Sequence, residues 1–454
     1  MGLFQAVGHQ NVKFYPFYNT GTFLDIATAT AERGVDGKWL INGGLPPLLG
    51  IVGRSGYFKS TVADAYIANV LTIYPNSEAA KHDTENNSFS SSRFKTIAEN
   101  SYLNEDKIDI TSRISFSNSS SMSQNEFIEL LKSVFAYKEK HKKDYIVESP
   151  FVDAETGKNL QVWVPTIVDI DSFTWFRSTT ETANAEKLDI DDSKRKTEDM
   201  NDGALKKKLL IQFSQWAYKY GAIFILTGQV DNKFDLDPYK PTVKQNSWIK
   251  NTDAIKGCSN QFHFLTNTLL QCYSPSPILS SDRKTPQYTS EGSAVDINKL
   301  EVRMLRCKTN SSGNVIPYVA SQAHGILPGL TNYQYLVDSE DFGFTVNGYR
   351  RTPLLAPEYT LTRTNVMDTL KGNYELNRAL EILAQLKWIN DNWTLGSYGF
   401  NIPKTAQEFI DLTAKSNTIM ISDILNSRGY WTYDKNNKRP YMSIFDICEL
   451  LQKA

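Results

Sequence analysis

The apolar run Leu48-Leu49-Gly50-Ile51-Val52 passes straight into GRSGYFKST, residues 53 to 61, and then into a segment with helical spacing. This juxtaposition leaves the chain few folds. A phosphate-binding loop needs a buried strand to aim it and a helix whose N-terminal amides and positive dipole end face an anion. A short, continuous apolar run suits a central parallel strand. Downstream, Ala63, Ile67, Val70 and Leu71 recur at helical spacing, and Pro75 closes the segment. Gly53, Lys59 and Ser60 fit the Walker pattern, but Phe58 stands where its second glycine belongs. On this reading Gly53, Arg54, Ser55, Gly56, Tyr57, Phe58, Lys59, Ser60 and Thr61 enclose the phosphates of a nucleotide. Gly56 keeps the loop flexible, Lys59 reaches the outer phosphates, and the Ser60 hydroxyl ligates Mg2+. The competing reading is a helix N-cap with an incidental lysine.

A nucleoside triphosphatase also needs a carboxylate near its metal, at the end of a second buried strand. Thr166-Ile167-Val168-Asp169-Ile170-Asp171-Ser172 supplies Asp171 there. Asp169, two residues earlier on the same side of the strand, shares that role or is structural. Hydrolysis needs a base or a group that orients water. Glu85 follows a weak strand, Ala79 to Asp83, although a solvated loop residue would look the same. A third strand, Ala222 to Leu226, leads into Thr227-Gly228-Gln229, where Gln229 would sense the terminal phosphate.

The order of these elements resembles the RecA family of DNA strand-exchange proteins, and most of all its phage branch, the UvsX-type recombinases. That branch similarly has Phe before the loop lysine. VDIDSFTWF is similar to the family's apolar strand ending in Asp-Ser. HDTENN resembles its Asp-x-Glu stretch, whose Glu polarises the attacking water. ILTGQV resembles its sensor, with Gly228 replacing the family's Asn. The resemblance covers about residues 20 to 345. It implies an α/β fold: a RecA-like P-loop ATPase core with a mostly parallel twisted sheet flanked by helices.

The same resemblance implies two DNA-contacting loops. The first falls at Arg177 to Gly203 and holds Lys194, Arg195 and Lys196, preceded by five acids; a surface loop is the alternative reading. The second is Val230 to Gly257, with no clear secondary structure. Between Tyr239 and Asn251 it carries Lys240, Lys244 and Lys250 and no acid, interleaved with Tyr239 and Trp248. Lysines can hold single-stranded phosphates while rings stack on bases. Between the loops, Leu205 to Tyr220 reads as an amphipathic helix. Residues 301 to 320 read as two strands joined by a polar turn. The family carries a pair of cations on that hairpin that reaches the neighbouring subunit's ATP. Arg306 and Lys308 have the required spacing, and an exposed strand face is the bland alternative.

The remaining chain divides into an N-terminal segment (1–30), a core (31–350) with an insertion near 137–164, and a helical C-terminal domain (351–454). The N-terminal aromatics either dock on the next subunit, as the family's N-terminal segment does, or pack on their own chain. The insertion reads as a hairpin turning near Thr156-Gly157-Lys158. Four cysteines without CxxC spacing read as reduced thiols, and no apolar run approaches a membrane span. The expected protein is a DNA-dependent ATPase with ATP and Mg2+ as cofactors, working in the cytoplasm of a host cell. It would form a homo-oligomeric helical filament on single-stranded DNA and pair it with double-stranded DNA. Single-strand-binding and loader proteins would be its accessory partners. The rivals are a ring-forming helicase on the same core and a RecA-fold ATPase with no DNA substrate.

Overall fold

The computed structural model describes residues 14–86, 91–177, 193–233, 244–259, 261–280, 284–288, 296–393 and 401–453, with backbone alone for 193–201. Alternation of apolar side chains decides its layers. In the central strand Leu48–Gly53, Leu49 and Ile51 enter one core while Leu48 and Val52 enter another. Thr166–Asp171 and Ala222–Asn232 divide in the same way, Ile167, Ile223 and Ile225 against Val168, Ile170, Phe224 and Leu226. Strands with two buried faces need cover on both.

The result is an α/β protein built on a large, mostly parallel sheet flanked by helices. Among the described residues this sheet has eleven strands, labelled here in chain order. They are β1 (Leu48–Gly53), β2 (Glu78–Asp83), β3 (Ile114–Asn118), β4 (Thr166–Asp171), β5 (Ala222–Asn232), β6 (Asp253–Lys256), β7 (Thr268–Cys272), β8 (Ser276–Pro277), β9 (Asn298–Cys307), β10 (Val315–Ser321) and β11 (Gly325–Ile326). The order β3-β2-β4-β5-β1-β7 is parallel throughout. β9, β10 and β11 extend it antiparallel beyond β7, while β6 pairs antiparallel with β5 and β8 with β9.

Helix α1 (Lys59–Ile73) covers the first core with Ala63, Ile67, Val70 and Leu71, and ends two residues before Pro75. Helices α2 (Gln124–Lys140) and α3 (Ser193–Tyr220) cover the second with Phe127, Leu131, Phe135, Leu209 and Phe213. Two sequence expectations change here. The amphipathic helix expected from Leu205 starts at Ser193, so Lys194, Arg195 and Lys196 lie on helical backbone. The strand expected to stop at Leu226 runs to Asn232, because Asp253–Lys256 pairs with its far half. The segment Val230–Gly257 therefore begins and ends in a hairpin.

Around residues 137–164 the chain forms a separate hairpin, Ile146–Val152 with Asn159–Trp163, outside the main sheet. Beyond 353 it is helical at Val366–Leu370, Tyr374–Asn392, Ala406–Lys415, Ile421–Leu425 and Ile444–Gln452. These helices share the first core with the sheet. Phe17 and Tyr18 are buried in their own chain, where Phe17 O accepts from Trp431 Nε1 and Tyr18 lies against Tyr74 and Trp431. No helix among the described residues is long and apolar enough to cross a membrane.

Candidate functional site

Register brings the ends of several parallel strands to one edge. Gly53 at the end of β1 lies level with Gln229 on β5 and Cys272 on β7. Asp171 at the end of β4 lies level with Asp83, so Glu85 emerges beside it. Four stretches read separately in the sequence thus meet in the crevice outside the strand ends, which is where open α/β sheets bind ligands.

The loop between β1 and α1 turns through Tyr57 N, which donates to Arg54 O at 3.3 Å. Gly56 has φ +76° and Phe58 has φ 60°, ψ 17°. The departure from the glycine pattern is thus one of side chain, not of backbone. A left-handed L-residue costs roughly 1–2 kcal/mol, and burial of the Phe58 ring, 7% exposed, offsets it. Helix α1 starts at Lys59 with no side-chain cap and no acid in its first turn. Its first N–H groups have no acceptor within the helix. Lys59 Nζ donates to Arg54 O at 2.9 Å. Burial lowers its pKa, while Cys272, Asp171 and Glu85 pull the other way.

Burial disfavours charge on Asp171, but Lys81, with hydrogen bonds from Ser60 and Thr227, holds its carboxyl below the usual range. Thr227 Oγ1 donates to Asp171 Oδ1 at 2.6 Å. Glu85 is exposed, its N–H donates to Asp83 Oδ1, and its Oε1 accepts from Gln229 Nε2 at 3.2 Å. Thr61 Oγ1 donates to Gln322 Oε1 and accepts from Arg93. Arg54 donates to Asn232 and Asp253, on the two strands of the β5–β6 hairpin.

Sequence reasoning missed a buried ionic group beneath this edge. Lys81 Nζ lies 2.7 Å from Asp64, 2.6 Å from Asp169 and 3.6 Å from Asp171, and Arg93 Nε lies 3.0 Å from Asp64. Burial opposes the Lys81 charge, but the three carboxylates outweigh it and raise its pKa. Asp169, fully buried against Lys81, faces away from solvent. The only sequence signal is a lysine and an aspartate that each interrupt an apolar stretch, and the parallel register is what pairs them.

The other sequence-selected residues lie elsewhere. Arg306 pairs with Leu269, level with Gly50, and Lys308 N donates to Asn267 at the entry end of β7. The two cations sit near each other, by Phe264 and Leu265, at the opposite edge from the loop of their own chain. Trp248 packs on Gly313, and Lys250 Nζ stands 4.4 Å over the Tyr273 ring. Lys244 is exposed. Buried Ile249 anchors this stretch. Tyr239 and Lys240 fall outside the described residues, as do the side chains of Lys194, Arg195 and Lys196.

The residues present fit a nucleotide phosphate with magnesium. An uncapped helix start, a lysine and a serine hydroxyl lie beside Asp171, with Glu85 near the lysine, and Mg2+ characteristically uses one or two carboxylates plus phosphate oxygens. Among the described residues there is no self-sufficient cluster of metal-binding side chains. No protein-family model matches the chain, and no curated protein matches it.

Proposed function

We propose that this chain is an ATP-dependent recombinase with a RecA-like P-loop core, assembling on single-stranded DNA and pairing it with homologous duplex. The observation that carries the reading is the contact between Glu85 and Gln229. It joins the residue assigned as base to the strand that leads into the basic, aromatic segment around Trp248 and Lys250. In this reading the loop amides, Lys59 and Thr61 hold the triphosphate of ATP, and Ser60 and Asp171 hold Mg2+. The bound metal would neutralise charge on the phosphates during transfer. Glu85 takes the proton of the attacking water, and Gln229 reports the terminal phosphate to the β5–β6 hairpin. Arg54, bonded to both strands of that hairpin, offers a second route between loop and DNA segment.

The position of Arg306 and Lys308, across the sheet from their own loop, supports action on a neighbour's nucleotide. Such a division of the site makes hydrolysis depend on assembly. Electron microscopy of the protein with single-stranded DNA and a non-hydrolysable ATP analogue, together with turnover measured with and without DNA, tests the proposal. A helical filament with DNA-stimulated turnover is expected. A closed ring would favour a helicase motor, and DNA-independent turnover without a polymer would remove DNA from the account.

A further inference from the structure

The group under the candidate site is built from charges where packing alone would call for apolar side chains. Lys81 and Asp169 are cross-strand partners on β2 and β4, and Asp83 and Asp171 are the next pair on the same face. Asp64 reaches the same space from α1, one turn beyond Ser60. Lys81 is 1% exposed, and Asp64 and Asp169 are fully buried. Burying such ions costs several kcal/mol each, and apolar replacement of a buried ion pair is often neutral or stabilising. Stability is therefore a poor reason for this group.

Geometry offers a better one. The Lys81 ammonium is fixed from two sides, by Asp64 at 2.7 Å and Asp169 at 2.6 Å. It also lies 3.6 Å from Asp171 Oδ2, while Thr227 holds Oδ1 at 2.6 Å. Each oxygen of Asp171 thus has its own anchor. Asp64 is held in turn by Arg93, which also bonds Thr61 in the loop helix.

We propose that Lys81 is a positioning residue that fixes the Asp171 carboxylate for Mg2+ bound with the nucleotide, with Asp169 setting how much of the Lys81 charge reaches it. The proposal rests on the nucleotide reading above. Without Lys81, Asp171 keeps only its hydroxyl partners, Thr227 and Ser60, and turns more freely once Ser60 faces the metal. Without Asp169, the ammonium is less neutralised and competes with the metal for Asp171.

The test compares the affinity of a fluorescent ATP analogue in EDTA and in magnesium chloride, using the full chain without DNA. The Lys81→Met and Asp169→Asn double variant removes one charge of each sign and leaves Asp64 with Arg93. Its thermal unfolding should stay close to wild type, and its metal-free affinity should stay within about twofold. Its gain in affinity from magnesium should fall roughly fivefold, as expected for losing one buried ion-pair contact that is too long for a hydrogen bond. Asp169→Asn alone should lower the gain in the same direction, and Lys81→Arg should keep most of it. Should the double variant not fold, the two single variants carry the test. A wild-type magnesium gain in a folded double variant, or in Asp169→Asn, overturns the role of Lys81 while leaving the nucleotide reading intact. A wild-type chain that binds the analogue no better with magnesium than without it overturns the metal reading and this proposal with it.

Discussion

Gln229 Nε2 donates to Glu85 Oε1 at 3.2 Å, across 144 residues of sequence. Glu85 follows β2 and Gln229 lies on β5, the strands on either side of β4, and neither side chain is covered by the core. If Glu85 is the base, Glu85→Gln should keep nucleotide binding and cut turnover by about 10²-fold or more. Gln229→Ala should reduce DNA stimulation. Because the two share one hydrogen bond, the double variant should turn over no more slowly than Glu85→Gln alone. Steady-state assays on the three proteins decide it, and simple additivity would separate the two roles.

Phe58 adopts a glycine's backbone with a buried ring. Substitution to Ala removes the ring and keeps the strain, whereas Gly removes both. Phe58→Gly should therefore unfold at higher denaturant than Phe58→Ala, by about 1 kcal/mol. Inside a helix the two residues rank the other way. Equal midpoints would mean that the left-handed turn is not kept in solution.

Lys244 and Lys250 flank Trp248 on an exposed strip, and Lys240 belongs to the same stretch of sequence. Neutralising all three should weaken binding to single-stranded DNA. It should also flatten the dependence of log affinity on log salt by about 0.7 per lost phosphate contact. An unchanged slope would take this strip out of the DNA interface.

Arg306→Ala with Lys308→Ala should leave nucleotide binding by the isolated subunit nearly intact and abolish DNA-stimulated turnover. Mixed with Glu85→Gln, it should recover part of the activity, because one pairing in the mixture joins an intact Glu85 to intact cations. Cations serving their own subunit could not give that recovery, so two inactive proteins that stay inactive together would refute the trans role.

Burial pushes the Lys138 ammonium down to about 7. Its Nζ donates to Val164 O and Thr166 Oγ1, where the hairpin at 146–163 rejoins the sheet. In the unfolded chain this lysine binds its proton up to about pH 10.4. Between those values the unfolded state holds more protons, so this group makes stability rise with pH, by at most ~1.4 kcal/mol per unit. The burden is full below pH 7 and gone above about 10.4. Urea unfolding from pH 7 to 9.5 should show a steeper rise for wild type than for Lys138→Met. Parallel curves would mean that Lys138 stays charged in the fold.

What the sequence disclosed follows the range of the forces involved. β1, β4 and α1 were legible because each is specified by its own apolar pattern, and the turn of the 146–163 hairpin by its Thr156-Gly157-Lys158 signal. The outer half of β5 was not, since Thr227 to Asn232 becomes strand by pairing with Asp253–Lys256. The first turns of α3 carry no apolar stripe, so nothing local announces them. Asp171, Glu85 and Gln229 could be picked singly, but their meeting depends on strand order. The Lys81 group depends on register as well, and a buried lysine in a short strand looks from sequence like a surface residue.

Trp431 bonds Phe17 and Asn19 and lies against Tyr74 at the end of α1, while Thr432 Oγ1 bonds Ile73 O. The helix that begins at Lys59 is therefore gripped at its far end by residues more than 350 positions later. A cut near residue 350 would not release a working half: it would strip the back of α1 and loosen the loop at its front. The boundary suggested by the change of composition is crossed by these contacts and by a shared core. For unfolding, the first and last segments belong to one cooperative unit with the strand edge they flank, and a shortened chain should melt as a weakened whole.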